Sequence, residues 1–174
     1  MAAVLVPFLR ITDGWHLLFT RRTDKLPEHS GQVAFPGGSM DPGESSPEQT
    51  ALREASEEIG LHPNKVQVIG RLRSIITITN YQVTPIVGII PWPYPIQLER
   101  EEVQRVFTIP LTWLAQPDNR EIRQHTRLLP QTGHESGGER ESVTMPAIYF
   151  KKYDGELLWG VTAQIVVSLL DILF

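Results

Sequence analysis

Residues 37–61, GGSMDPGESSPEQTALREASEEIGL, decide how this chain of 174 residues is organised. The second half of the stretch predicts a helix, because Ser46 is a favourable N-cap, Pro47 suits the first helical position and Gln49 completes a capping box. We expect Gly60 to end the helix in the left-handed conformation. The predicted buried face is an apolar stripe at helical spacing: Ala51, Leu52, Ala55 and Ile59.

Three glutamates, Glu54, Glu57 and Glu58, lie beside this stripe within an arc of roughly 100°. Such a cluster is unfavourable for a helix, because like charges three or four residues apart repel by about 0.2–0.5 kcal/mol per pair. Acidic groups in the last turn also oppose the helix dipole. Arg53 can offset part of the repulsion by pairing with Glu57. A hard divalent cation would relieve it further, and a solvated acidic face is the alternative interpretation.

The spacing of charged residues and glycines across this stretch resembles the Nudix box, whose pattern is G-x5-E-x7-R-E-U-x-E-E-x-G-U with U a bulky aliphatic residue. The matching positions in this chain are Gly38, Glu44, Arg53, Glu54, Glu57, Glu58, Gly60 and Leu61. A departure in spacing is that eight residues, not seven, separate Glu44 from Arg53. The resemblance therefore leaves the role of Glu44 open.

The segment before the box resembles a second signature, that of the coenzyme A diphosphatase branch of this family. The signature reads roughly L-L-T-x-R, a polar spacer and then G-Q-x-x-F-P-G-G, and this chain has LFTRR at 18–22 and GQVAFPGG at 31–38. The eight-residue spacing before Arg53 is also usual in that branch. Later landmarks of the branch match residues 81–85, 102–107 and 159–163, so the resemblance spans nearly the whole chain.

The resemblance implies the α+β class: a Nudix α/β/α sandwich with a mixed β-sheet and flanking helices, forming a single Nudix hydrolase domain over residues 1–174. It implies divalent-metal-dependent hydrolysis of the diphosphate bond of a nucleoside diphosphate derivative. Coenzyme A or acyl-CoA is the first candidate, giving adenosine 3′,5′-bisphosphate and (acyl-)phosphopantetheine. An ADP-sugar or dinucleotide substrate is one alternative, and a non-catalytic nucleotide-binding module is another. The repelling glutamates argue against the non-catalytic module.

The same resemblance implies roles for particular residues. The residues expected to hold Mg²⁺ or Mn²⁺ are Glu54, Glu57, Glu58 and the carbonyl group of Gly38. The expected catalytic residues are Arg53 with Glu54 or Glu102 as the general base. A loop is expected over residues 131–142, and its Glu135, Glu139 and Glu141 are further candidates that could close over substrate. Phosphate and substrate contacts are expected from Arg21, Arg22, Lys25, His29 and Gln32, with ordinary surface charges as the alternative reading.

Composition excludes several other classes of function. The net charge of −4 gives no general affinity for nucleic acid or membrane surfaces, which favours a small-molecule substrate. The absence of cysteine excludes disulfides and thiol chemistry and suits a cytoplasmic protein. The apolar N-terminal run is short and lacks a basic region, so it does not predict a signal peptide. A homodimer is left open.

Periodicity and turn residues predict the remaining elements. Thr12-Asp13-Gly14 predicts a hairpin turn, and the apolar run 81–91 predicts a strand buried on both faces. The predicted strands are 3–11, 15–21, 30–35, 66–70, 72–78, 81–91, 106–110, 125–129, 143–150 and 156–159. The predicted helices after the box are a short one over 99–105, a turn over 111–115 and a closing helix over 162–173 with Ile165, Val166, Leu169, Leu170 and Leu173 on one face.

Overall fold

The computed structural model describes residues 1–24, 31–77, 80–128 and 142–174. The strands in these ranges are β1 Ala2–Ile11, β2 Gly14–Arg22, β3 Val33–Ala34, β4 Gly37–Ser39, β5 Gln67–Arg71, β6 Ile75–Ile76, β7 Gln82–Ile89, β8 Val103–Pro110, β9 Arg120–Leu128 and β10 Ser142–Phe150. The helices are α1 Pro47–Ile59, α2 Leu111–Leu114 and α3 Gly160–Leu173, with 3₁₀ turns at Pro63–Lys65 and Pro117–Asn119. None of the helices in the described ranges has the length and apolar character needed to cross a membrane.

Strand β1 lies at the centre of a mixed sheet. It pairs with β2 in an antiparallel hairpin and with β7 in parallel. Ile11 pairs with Gly14 at the predicted turn, where Gly14 has a positive φ of 136°. Residues 84–88 of β7 are buried, as expected for a strand covered on both faces. The outer edge of β7 pairs with β5 and β6, while β8 pairs with β2.

The sheet forks between β1 and β2. The two strands pair only over Phe8–Ile11 and Gly14–Leu17, and beyond that point β2 pairs with β3 while β1 pairs with β4. Residues 32–39 close the fork, because Arg22 N–H donates to the Gln32 carbonyl at 3.0 Å and Leu5 N–H donates to the Pro36 carbonyl at 2.8 Å. This crossing places the Gly37-Gly38 pair against the first residues of β1.

Helices cover both faces of the sheet, so the predicted α/β/α architecture is confirmed. One buried cluster joins α1 to the sheet through Ala51, Ala55 and Ile59 packed on Leu5, Leu9, Leu18 and Ile86. The other joins α3 to the opposite face through Ile165, Val166, Leu169 and Leu170 packed on Val6, Leu17, Phe19 and Val87. Strands β9 and β10 form a separate antiparallel sheet, and Phe150 at the end of β10 enters the α3 cluster.

The predicted ends of α1 are confirmed, with one change in the capping box. Gln49 N–H donates to the Ser46 hydroxyl at 3.3 Å, and Gly60 closes the helix with a φ of 68°. The Gln49 side chain accepts the N–H of Ser45 at 2.8 Å, whereas the capping box predicts the N–H of Ser46. The reciprocal bond is therefore displaced by one residue.

The predicted helix over 99–105 is wrong, because β8 begins at Val103. A tight turn precedes it, in which Glu102 N–H and Val103 N–H both donate to the Glu99 carbonyl. From Val103 onward seven of the eight residues of β8 pair with β2. This long-range pairing overrides the local helix preference of the Glu-Arg-Glu-Glu run.

Other boundaries differ where short segments depend on distant partners. The strand predicted over 30–35 is only Val33–Ala34 among described residues, and β4 was not predicted. The strand predicted over 72–78 is reduced to Ile75–Ile76, with Ile78 outside the described residues. Residues 156–159 form only isolated bridges, between Tyr153 and Glu156 and between Tyr149 and Trp159, before α3 begins at Gly160. Leu173 is 45% exposed, so its predicted burial is wrong.

The Gly37→Ala substitution tests the fork. A Cβ at Gly37 would lie 2.6 Å from the Val4 Cα atom, which cannot move without breaking the β1–β4 pairing. We expect a loss of about 2–3 kcal/mol in the free energy of unfolding, measured by urea denaturation. Gly70→Ala in β5 is the matched control, because nothing lies within 4 Å of its Cβ position. Equal stability of the two variants would contradict this account of the fork.

Candidate active site

The Arg53 guanidinium lies at the centre of the site, on the polar side of α1. Its Nε is 2.9 Å from Glu44 Oε1, its Nη2 is 3.0 Å from Glu54 Oε1 and its Nη1 is 2.8 Å from Glu57 Oε2. Nη2 also donates to the Ser39 carbonyl at 3.0 Å. Asp41 Oδ2 lies 3.5 Å from Nε as well. The predicted pairing of Arg53 with Glu57 is therefore confirmed, and a single cation lies beside four carboxylates.

Glu44 joins the loop before α1 to the helix. Its carboxylate accepts hydrogen bonds from Arg53 Nε, from the Thr50 hydroxyl at 2.7 Å and from Asp41 N–H at 2.8 Å. The hydrogen bond from Arg53, followed by that from Asp41 N–H, lowers the pKa of Glu44 to about 2. Of the eight residues between Glu44 and Arg53, Ser45 and Ser46 precede α1 and the other six lie in it, and at this spacing Glu44 still reaches Arg53.

Gly38 is needed for the close approach of Glu54 to the backbone. It pairs with Ala3 in the β1–β4 ladder, and a Cβ there would lie 2.6 Å from the Glu54 Cδ atom. Burial raises the pKa of Glu54, while Arg53 opposes the shift. Gly38 therefore allows a half-buried carboxylate to lie directly against the glycine backbone.

Glu58 is buried, which corrects the expectation that all three box glutamates lie beside the buried face. It is 3% exposed, its Oε1 is 3.9 Å from Arg22 Nη1, and its Oε2 is buried without a hydrogen-bond partner. Burial raises the pKa of Glu58 to about 8, against the opposing effect of Arg22. Sequence reasoning missed this because residues 97–99 bond to the end of α1, with Glu99 N–H donating to the Glu58 carbonyl at 2.9 Å.

The same segment carries Glu102 to the acidic side of α1. The Glu102 carbonyl accepts the N–H of Thr23 at 2.9 Å, which fixes the turn beside the end of β2. Burial is the main cause of the raised pKa of Glu54 and of Glu58, and the neighbouring arginines oppose it. Repulsion from Glu102 is a smaller cause that raises both pKa values. The fold therefore brings together two candidate bases that are 48 positions apart in the sequence.

The predicted substrate-binding residues do not form one cluster. Arg22 faces Glu58, whereas Arg21 contacts Asp24 Oδ1 at 3.2 Å and Glu156 Oε1 at 3.5 Å on the opposite face of the sheet. Gln32 lines a pocket on the Arg21 side. Strand alternation separates the two arginines. Lys25, His29, Glu135, Glu139 and Glu141 lie outside the described residues.

Sequence reasoning also missed a second contact beside Arg53. The Ser39 hydroxyl lies 2.8 Å from the Tyr81 hydroxyl, while the Ser39 carbonyl accepts from Arg53. This contact joins the end of β4 to the residue before β7, which is 42 positions away in the sequence. Local spacing carries no signal for a pairing of this range.

The acidic side of α1 offers the carboxylate oxygens that a hard divalent cation prefers. The side chains, as they are arranged in this structure, do not converge on a common position for such an ion. Within the described ranges, no three His, Cys, Asp or Glu side chains are grouped to hold a metal ion. Glu54 and Glu57 are instead bonded to Arg53. The buried, unpartnered Glu58 Oε2 is the kind of oxygen that such an ion prefers. Binding therefore requires the carboxylates to turn away from the arginines.

The Glu44→Gln substitution tests the link between loop and helix. The lowered pKa of Glu44 means that its contribution to stability is fully present above about pH 4.5 and is lost as the pH falls towards about 2. We therefore expect the Tm of Glu44→Gln to lie below that of the parent protein at pH 7 and to converge with it between those pH values. Glu101→Gln, at an exposed position, should show no such difference. A constant Tm gap down to pH 2 would contradict the assignment.

Comparison with known proteins agrees with this geometry. The model of the NUDIX domain family matches residues 1–132. The Yersinia pestis (strain Pestoides F) protein named "Uncharacterized Nudix hydrolase NudL" is 39% identical over 165 residues, covering 95% of this chain and 75% of that protein. The protein of the same name from Yersinia pseudotuberculosis serotype O:1b (strain IP 31758) gives the same values.

Solved structures share the fold at lower sequence identity. The crystal structure of a Caenorhabditis elegans Ap4A hydrolase binary complex has a TM-score of 0.56 and 23% identity, covering 64% of this chain and 81% of that one. A NUDIX hydrolase structure described as putative, from Listeria monocytogenes, has a TM-score of 0.52 and 15% identity, covering 99% of this chain and 93% of that one. These two likenesses support the fold alone. From the family match and the relatives, the chain belongs to the Nudix hydrolase family.

Proposed function

We propose that the chain acts as one hydrolase domain over residues 1–174 and cleaves the diphosphate bond of coenzyme A or acyl-CoA. The products would be adenosine 3′,5′-bisphosphate and (acyl-)phosphopantetheine. The observation that carries the proposal is the placement of two carboxyl groups of α1: Glu58 is buried with Oε2 unpartnered, and Glu54 lies directly against the Gly38 backbone. Family membership supports a diphosphate as the bond that is cleaved.

The unfavourable electrostatics support a catalytic site over a non-catalytic module. Glu58 is buried with one oxygen atom unpartnered, an arrangement that costs stability unless another group compensates for it. A module that only binds nucleotides has no need of a buried carboxylate beside two others. This placement is expected where carboxylates serve chemistry instead of packing.

Nudix hydrolases generally use divalent metal ions. We propose that Glu54, Glu57, Glu58 and the Gly38 carbonyl hold Mg²⁺ or Mn²⁺ in this chain. When bound, such an ion neutralises phosphate oxygens and lowers the pKa of a water molecule. Glu44 and the Ser39 carbonyl keep Arg53 in place beside these carboxylates, so Arg53 acts as a positioning residue.

Glu102 is the proposed general base. Glu54 is committed to Arg53 at 3.0 Å, whereas the Glu102 residue is exposed and can meet both solvent and substrate. The proton of the attacking water passes to a Glu102 oxygen as the water oxygen bonds to phosphorus. The bridging P–O bond breaks, and its electron pair leaves with the other phosphate. Glu54 is the alternative base.

Substrate contacts are proposed for Arg21, Arg22 and Gln32, with Lys25 and His29 as further candidates outside the described residues. Arginine side chains suit phosphate oxygens because their planar N–H groups form paired hydrogen bonds. Arg22 already lies near Glu58, so a phosphate in the site would compete for the same guanidinium. Arg21 lies on the other face and serves a different part of the substrate.

Metal affinity separates the roles of Glu58 and Glu102. Glu58→Gln should weaken Mn²⁺ binding and lower activity by more than about 100-fold, since even loss of a ligand's hydrogen-bond partner typically costs 10–100-fold. Measured without metal above about pH 8, where the buried carboxyl of Glu58 is ionised, the Tm of the variant should not fall, because the amide removes a buried charge. Glu102→Gln should lower kcat by roughly 10²–10⁴-fold with metal affinity nearly unchanged.

Isothermal titration with Mn²⁺ and steady-state kinetics measure both effects. Glu101→Gln is the matched control, because Glu101 is an exposed neighbour with no proposed role. A normal kcat in Glu102→Gln would return the base to Glu54. Unchanged Mn²⁺ affinity in Glu58→Gln would remove Glu58 from the metal ligands.

A substrate panel tests the proposed function. With Mg²⁺ or Mn²⁺ present, coenzyme A should be hydrolysed with a kcat/KM about tenfold or more above that of dephospho-coenzyme A, because the 3′-phosphate adds charge-assisted hydrogen bonds. ADP-ribose and diadenosine polyphosphates complete the panel, with products identified by mass. Preference for either of these would assign another Nudix substrate. No hydrolysis of any member would contradict the enzyme's proposed reaction.

A further inference from the structure

An open pocket of about 440 Å³ lies on the α3 side of β2, away from the carboxylates of α1. Its lining combines a strand end, the segment after the Asp154-Gly155 turn and the residue that precedes α3. The side chains that matter here are Arg21, Gln32, Lys152, Glu156, Leu157 and Trp159. Neither the proposed metal ligands nor the proposed base line it.

The pocket is nevertheless close to the proposed reaction site. Arg21 and Arg22 are consecutive in β2, so their Cα atoms are about 3.8 Å apart and their side chains leave opposite faces of the strand. Arg22 reaches towards Glu58, and Arg21 lines the pocket. One strand therefore separates the pocket from the carboxylates at this point, and Arg21 and Arg22 connect the two sides.

Trp159 supplies a rigid planar surface to this pocket. Its ring stacks on Tyr149 at 5.4 Å with an interplanar angle of 8°, and the His125 ring centroid is 4.6 Å away. The His125 and Tyr149 centroids are only 6.3 Å apart, and the side chains are bonded at 2.7 Å. Partners on opposite indole faces would be much farther apart, so one face has no aromatic partner among the described residues. Such a face suits base stacking.

The charged groups of the pocket differ in whether they already form ion pairs. Glu156 lies 3.5 Å from Arg21 and 3.1 Å from Arg105, so its carboxylate is held by two guanidinium groups. Lys152 is exposed and forms no ion pair with the described part of the chain. Its ammonium is therefore available for a ligand anion.

We propose that this pocket binds the nucleoside part of the substrate, with the base stacked on Trp159 and a phosphate monoester on the ribose held by Lys152. The inference rests on the proposed function, because it names the part of that substrate which enters the pocket. It also separates two tasks that the sequence assigned to one basic stretch. Lys152 recognises the monoester, while Arg22 stays with the diphosphate at the carboxylates.

Nucleotide binding without metal tests the pocket separately from catalysis. Isothermal titration in EDTA compares adenosine 3′,5′-bisphosphate with adenosine 5′-monophosphate. We expect the parent protein to bind the bisphosphate about tenfold more tightly, and Lys152→Ala to abolish that preference. Lys151→Ala is the matched control, because Lys151 is the exposed neighbour that does not line the pocket, and it should keep the preference. Equal behaviour of the two lysine variants would overturn the inference.

The aromatic surface has its own variants. Trp159→Leu should weaken binding of both nucleotides about tenfold or more, whereas Trp159→Phe, which keeps a planar ring, should retain most of the affinity. Thermal melting checks that each variant is folded. If Trp159→Leu unfolds, Trp159→Phe and Lys152→Ala still test whether the nucleotide binds in this pocket. Lost affinity in a folded Trp159→Phe variant would contradict stacking of the base on Trp159.

Product analysis keeps the two proposals distinguishable. An active enzyme whose Lys152→Ala variant keeps the bisphosphate preference would overturn the pocket assignment and leave the hydrolase function in place. A parent protein that hydrolyses no diphosphate yet shows the preference would overturn the proposed function and keep the pocket. A parent protein that binds both nucleotides equally would overturn the pocket assignment alone.

Discussion

The site depends on one guanidinium group that is shared among four carboxylates, with Asp41 the most distant at 3.5 Å. Arg53 bonds Glu44 from the loop, Glu54 from its own turn and Glu57 from the next turn, and it also holds the Ser39 carbonyl. These contacts fix β4, the loop that carries Glu44 and the polar side of α1 relative to one another. Without this cation, the repulsion among the glutamates would act directly on the helix and on the loop that precedes it.

The fork in the sheet gives Arg53 its surroundings. Because β1 and β2 separate after four paired residues, the segment 32–39 can cross between them and bring the glycine pair under α1. Gly37 and Gly38 lie where the strand backbone and the Glu54 carboxylate leave no room for a side chain. The buried position of Glu58 arises in a similar way, since a distant segment closes over the helix end.

The features that the sequence predicted correctly depend on interactions between residues that are close together in the chain. Helix α1, its caps and the Arg53–Glu57 pair follow from residues within a few positions of one another, and the structure confirms them. The helix predicted over 99–105 was wrong because pairing of Val103 and the following residues with β2 outweighs local preference. The burial of Glu58 and the approach of Glu102 depend on the same distant contact, so spacing in the sequence carried no signal for either. The separation of Arg21 from Arg22 follows from alternation along β2, which their shared motif obscured.

The two segments that feed the site differ in the change of length they can accommodate. The segment between Glu44 and Arg53, which comprises the end of the loop and the first turns of α1, contains one residue more than the family pattern, yet Glu44 still bonds Arg53 at 2.9 Å. Strand β2 cannot accommodate such a change in length. Inserting or deleting one residue before Arg21 would exchange the faces of the sheet from which the Arg21 and Arg22 side chains project. The irregularity in pairing with β8 lies between Arg21 and Arg22, at the point where the strand leaves regular register. Relatives with altered loop lengths before α1 are therefore compatible with this site, whereas altered β2 lengths would require a new assignment of both arginines.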